Sequence, residues 1–146
     1  MRQCFGATVA IVLGFAAMPS SAWAYDVHVY RGVAKEPNGP AILSKPQFTF
    51  KNGVISTFDA AHLNSINQAC RFRFKITNLD RAQPQPNDRG DVDGLPNFTA
   101  TFDNNPAGHW SIAKPQNLNP TKAAEAVSTY AKNHRGDVSD GNQGGC

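Results

Sequence analysis

Three short stretches and two isolated glutamates carry the side chains suited to chemistry. Arg31 stands mid-strand between Tyr30 and Gly32. A guanidinium there, beside a glycine over which a ligand can approach the backbone, suits a phosphate clamp. An edge-strand arginine facing solvent is the alternative. In Gly53-Val-Ile-Ser-Thr-Phe-Asp59, a strand delivers the hydroxyls of Ser56 and Thr57 just ahead of a helix-capping aspartate. Such hydroxyls can orient a charged partner, although strand threonines and capping serines are common without function. In Gly108-His-Trp-Ser-Ile112, His109 offers a titratable imidazole and Trp110 a flat ring for stacking. A core tryptophan beside a surface histidine fits the same residues. Glutamate is scarce: Glu36 and Glu125 are the two candidates for any mechanism that needs one. No lipase-like G-x-S-x-G, phosphate-binding loop or zinc-protease motif occurs, and no C-x-x-C or H-x-x-x-H spacing suggests a metal.

The elements that must position these groups follow from period and punctuation. Tyr25 to Ala34 alternates as a strand, with Val27, Val29 and Arg31 on one face and His28 and Tyr30 on the other. Pro37, Asn38, Gly39 and Pro40 mark a loop. Short strands are expected over Gln47–Phe50 and Gly53–Phe58 around a Lys51-Asn52-Gly53 turn. Asp59 should cap a short helix from Ala60 to about Asn67. Cys70 to Thr77 is the plainest strand, with Cys70, Phe72, Phe74 and Ile76 on one face and Arg71, Arg73 and Lys75 on the other. Residues 78–96 read as a long polar loop, functional or mobile. Asn97–Phe102 and Gly108–Ala113 alternate as strands. Asn119-Pro120 opens a helix to about His134, with Ala123, Val127, Tyr130 and Ala131 on its buried stripe. The expected fold class is α+β: a small antiparallel sheet core, a short early helix and a C-terminal helix.

The chain has 146 residues and a formal net charge of +3. Its length suggests one domain. The charge is too mild to argue for nucleic-acid binding. Residues 1–24 read as a signal peptide: Arg2, an apolar run from Ala7 to Met18, then the Ala22-Trp23-Ala24 cleavage site. The run is too short for a membrane span, and no later segment is apolar enough to provide one. The organisation expected is therefore a leader over 1–24, a single α+β domain over 25–134 and a flexible tail over 135–146 ending in Cys146. A secreted or periplasmic product lets Cys70 and Cys146 pair as a disulfide, worth about 4 kcal/mol by loop closure. A free thiol or an intermolecular bridge is the alternative.

Taken in order, Tyr30-Arg31, Gly53 to Ser56-Thr57-Phe58-Asp59, a long polar loop, His109-Trp110-Ser111-Ile112 with Pro115, and a closing helix resemble the small ADP-ribosyltransferase-like toxins of the Tse-type effector family. The resemblance spans roughly residues 28–132. It implies an ADP-ribosyltransferase-like fold and an exported toxin domain acting on NAD by transfer or glycohydrolysis. NAD is then the substrate, with no metal. A protein target or a cognate immunity protein would be the partner. Arg31, Ser56 and Glu125 take the catalytic positions under this resemblance. Tyr30, Arg31, Thr57, His109 and Trp110 take the NAD-binding ones. The family's E-x-E motif has no counterpart here, which leaves Glu125 to stand in for its glutamate. A non-catalytic exported binding module of the same fold, or a secreted ribonuclease-type cytotoxin, are the alternatives.

Overall fold

Seven antiparallel strands account for most of the regular structure in the computed structural model, which describes residues 24–141 and 145–146. The expected leader lies outside them except for Ala24. The strands are β1 (Tyr25–Val33), β2 (Val54–Asp59), β3 (Cys70–Leu79), β4 (Arg89–Val92), β5 (Thr99–Phe102), β6 (His109–Ala113) and β7 (Val138–Asp140). Helix α1 spans Pro120–Asn133. The strand order is β1-β2-β6-β5-β4-β3, and β1 pairs with β3 from Val33↔Cys70 to Tyr25↔Leu79, so six strands close into a barrel. Strand β7 lies outside the ring, on the Cys70–Phe72 end of β3.

Closure follows from the pattern of the longest strand. In β3 the alternation is strict: Cys70, Phe72, Phe74 and Ile76 are fully buried, and the residues between them face out. Val29, Ile55, Ala100, Trp110 and Ile112 supply the inward faces of neighbouring strands. Each fully buried large apolar side chain contributes about 1.5–3 kcal/mol. Phe48 meets Phe72 and Phe74 edge-on, at ring separations of 6.0 and 6.4 Å. Helix α1 adds Ala123, Ala124, Val127 and Ala131 to this core. Asn119 caps it by accepting from the Lys122 amide at 2.8 Å, and the Ser128 hydroxyl donates to the Leu43 carbonyl at 2.7 Å.

The α+β, ADP-ribosyltransferase-like architecture expected from the sequence is overturned by this closed barrel. Three local differences explain the change. Gln47–Phe50 is not a strand: Lys45–Phe48 is a 3-10 turn entered through Pro46. The early helix is only a 3-10 stretch, Ala60–Ser65, although Asp59 caps it as expected, accepting from the Ala61 and His62 amides. The long polar loop contains β4, whose Arg-Gly-Asp-Val sequence has one large apolar residue and gives little periodic signal. With β4 present, β3 and β5 are bridged and the sheet closes. One α-helix remains against seven strands among the described residues.

Residues 135–140, read from the sequence as the start of a flexible tail, form a 3-10 turn and β7. Cys146 bonds to Cys70, the two Cα atoms being 5.8 Å apart. The Cys146 amide also donates to Asp140 at 2.7 Å. No described helix is long and apolar enough to cross a membrane.

Candidate functional site: a serine-histidine-aspartate relay on the barrel wall

Strands β2, β6 and β5 lie side by side, and their outward residues form one wall. Register places Ser56 opposite Ser111 and Phe58 opposite His109, with Thr101 opposite Ser111 on the next strand. Ser56 and His109 are therefore diagonal neighbours on one face, within reach across adjacent strands. Their inward neighbours Ile55, Thr57, Trp110 and Ile112 are anchored in the core.

Asp103 completes the line through a tight turn. It directly follows Phe102, the last residue of β5, and is joined to His109 by Asn104-Asn-Pro-Ala-Gly108. Asn104 (φ 52°) and Gly108 (φ 74°) both adopt the left-handed conformation. The Asn104 side chain accepts from the Gly108 amide at 2.8 Å, and the Asn104 amide donates to the His109 carbonyl at 3.1 Å. A Cβ on Gly108 would lie 2.1 Å from the His62 ring nitrogen, so a larger residue would strain the turn twice over.

The result is a hydrogen-bonded relay. His109 Nδ1 lies 2.5 Å from Asp103 Oδ1, and His109 Nε2 is hydrogen-bonded to Ser56 Oγ. The Ser111 hydroxyl donates to the other Asp103 oxygen at 2.6 Å. Burial acts to raise the Asp103 pKa, but the hydrogen bonds from Ser111 and His109 outweigh it and hold the carboxyl below its ordinary value. An ionised Asp103 accepts only, so Nδ1 carries the proton. Nε2 then presents a lone pair to the Ser56 hydroxyl. This is the arrangement that activates a serine nucleophile. The Phe58 ring packs edge-on to the imidazole at 5.3 Å and screens one side of it.

A hollow of about 350 Å³ opens on Ser56 and His109, lined also by Arg31, Thr49, Lys51, Asn52 and Val54. Arg31 enters where the barrel seam parts. Strands β1 and β2 pair at Val29↔Asp59 and Tyr30↔Phe58. Just beyond, Arg31 donates to the Ser56 carbonyl at 3.0 Å and to the Gln47 carbonyl at 3.3 Å. Burial lowers its pKa by loss of hydration. Among the described residues no carboxylate forms an ion pair with Arg31 or Lys51. The space over Gly32 is filled by Gln68 and Ile66, whose atoms would meet an added Cβ at 2.0 to 2.8 Å.

The residues singled out from the sequence thus separate. Arg31, Ser56 and His109 share the hollow. Trp110 is 1% exposed and packs against Phe102 at 5.1 Å inside the barrel, with no face toward the hollow. Thr57 is fully buried and donates to the Trp110 carbonyl at 3.0 Å. Tyr30 lines a different depression with Arg71 and Arg73. Glu125 is exposed on α1 and pairs with Lys122 at 3.1 Å. Asp103 and Ser111 were not singled out. The available signal was the short turn between Asp103 and His109, which makes them hairpin neighbours, and the two-residue step that puts Ser111 on the His109 face. The described residues contain no group of three or more histidine, cysteine or acidic side chains placed to hold a metal ion.

No family model, no curated protein and no solved structure matches this chain.

Proposed function

We propose that this protein is an exported hydrolase of acyl compounds that uses Ser56 as its nucleophile. The observation that carries this reading is the continuous Ser56–His109–Asp103 relay at the edge of an open hollow. Ser56 Oγ attacks the substrate carbonyl carbon while its proton passes to His109 Nε2. Asp103 stabilises the imidazolium and fixes its orientation. The Asn52 amide, at the wall of the hollow, is the group offered to the developing oxyanion, since the Thr49 hydroxyl donates to the Pro46 carbonyl at 3.0 Å. The carbon–oxygen bond to the leaving alcohol breaks, and His109 returns its proton to that oxygen. Water, deprotonated by His109, then releases the acyl group from Ser56. The leader-like sequence over 1–24 and the Cys70–Cys146 bond support export to an oxidising compartment.

The test is turnover of p-nitrophenyl propionate by the oxidised mature chain, with the acyl adduct trapped at low pH and mapped by mass spectrometry. Turnover with the adduct on Ser56, lost in Ser56→Ala and His109→Ala, is expected. Absence of both turnover and adduct contradicts it.

Cleavage of NAD is the second reading. It is favoured by one observation: Arg31, a cation suited to a pyrophosphate, shares the hollow with Ser56 and His109. Nicotinamide release from NAD by the same preparation, abolished in Arg31→Ala, would select it over ester hydrolysis. An exported toxin with a protein target or an immunity partner belongs to this second reading.

A further inference from the structure

The hollow beside Ser56 is positively charged in a particular direction. His109 lies opposite Phe58, on the C-terminal side of Ser56 along β2. Val54, Asn52 and Lys51 lie on the N-terminal side, and Arg31 reaches the Ser56 carbonyl from the seam with β1. A leaving group must sit near His109 Nε2 to receive its proton. The acyl portion then extends the other way, over Val54 toward Arg31 and Lys51. Among the described residues no acidic side chain lines that part of the hollow.

Among the described residues Arg31, like Arg71, forms no ion pair with a carboxylate, whereas several other cations do. Arg73 pairs with Asp137, Lys75 with Asp26 at 2.7 Å, and Arg81 with Asp88 at 3.0 Å. Arg31 instead spends two donors on backbone carbonyls and keeps a net positive charge, partly desolvated, at the wall of an open space. A cation removed from water without a counter-charge is costly, and a bound anion offsets that cost. Lys51, exposed at the rim, adds a second positive charge on the same side.

We propose that the substrates are acyl compounds whose acyl chain carries an anion, a carboxylate or a phosphonate or phosphate group, that Arg31 and Lys51 receive while Ser56 attacks the carbonyl. This rests on Ser56 acting as the nucleophile. The anion sits a few bonds from the reacting carbon, since the guanidinium is hydrogen-bonded within the nucleophile's own residue.

The experiment compares p-nitrophenyl esters of propionic, succinic and 3-phosphonopropionic acid at low and high salt. At low salt, kcat/KM for at least one anionic ester should exceed that for the neutral one by about tenfold or more, the scale of one charge-assisted hydrogen bond. Whichever anionic ester is faster identifies carboxylate or phosphonate as the preferred group. High salt should shrink the preference. Lys51→Gln should lower the ratio of anionic to neutral kcat/KM. This variant is the primary one, because replacing Arg31 also removes hydrogen bonds that close the β1–β2 seam. Equal or slower turnover of both anionic esters, with the propionate ester hydrolysed and Ser56 acylated, overturns the charge preference and leaves serine chemistry standing. Failure of all three esters, with no acyl-Ser56, removes both.

Discussion

Two outward faces of the same barrel behave in opposite ways. On β3, Arg71, Arg73 and Lys75 alternate with core residues, and the last two are neutralised by carboxylates from distant segments. Arg71 donates to the Leu63 carbonyl at 3.3 Å, and its Nε is buried without a hydrogen-bond partner. On the β2-β6-β5 wall, the outward polar groups are bonded to one another in sequence, from Ser56 to His109 to Asp103 to Ser111. The cation beside them, Arg31, like Arg71 on β3, has no carboxylate partner among the described residues, and it borders the open hollow beside Ser56. Paired surface charges finish a surface. An aligned hydroxyl, imidazole and carboxylate ending at an open hollow hold a reactive group ready.

Substitutions on the two faces should separate sharply. The largest effect belongs to the relay. Ser56→Ala and His109→Ala should each lower ester turnover by about a thousandfold or more while leaving the circular dichroism spectrum unchanged. Retained turnover in both would place the chemistry elsewhere. Next comes the covalent clamp that ties the C-terminus to the β3 end of the barrel. Cys146→Ser should cost about 4 kcal/mol of unfolding free energy by loop-closure entropy, read from urea denaturation. A loss within error would mean that the bond constrains little.

A smaller effect tests the far end of the relay through pH. The Asp103 carboxyl is held below its ordinary value, so its ionised form favours the fold. That contribution is fully present above the unfolded carboxylate pKa of about 3.9 and is lost as pH falls through the lower folded value. Ser111→Ala removes one of the hydrogen bonds responsible. The Asp103 carboxyl titration, followed by NMR, should then move up, and acid unfolding should begin at higher pH. An unchanged titration would remove Ser111 from the positioning of Asp103. The smallest effect should come from the β3 face. Arg73→Ala breaks a surface ion pair and should change stability by less than about 1 kcal/mol, with no change in turnover.

The sequence made the faces of the individual strands readable but not their assembly. Alternation separated Phe72 and Phe74 from Arg71 and Arg73 onto opposite faces of one strand, whereas His109 and Trp110 both fitted an NAD-binding role, with a core tryptophan beside a surface histidine as the alternative. It could not say which strands would be neighbours, because register between β2, β6 and β5 depends on pairings far apart in the chain. Ser56 and His109 are separated by 53 residues. Their contact is set by the β2–β6 ladder, which leaves no local periodic signature. Barrel closure was hidden for a similar reason: β4 carries a single large apolar residue, Val92, inside a stretch dense in proline, aspartate and glycine. The Asn119-Pro120 helix start, by contrast, depends on local capping chemistry and lies where the sequence placed it. Trp110 shows the limit of residue type alone. A ring suited to stacking a ligand is equally suited to filling a core, and its alternation with His109 and Ser111 decided for the core.

Intact-mass measurement after brief exposure to an uncharged alkyl fluorophosphonate tests the nucleophile directly, without choosing a substrate. Attack by Ser56 Oγ displaces fluoride and leaves a stable phosphonyl ester. The wild-type chain should gain a single adduct that maps to Ser56, Ser56→Ala should gain none, and His109→Ala should react far more slowly. Labelling that is absent from Ser56, or that proceeds at the wild-type rate in His109→Ala, would contradict an activated serine on this wall.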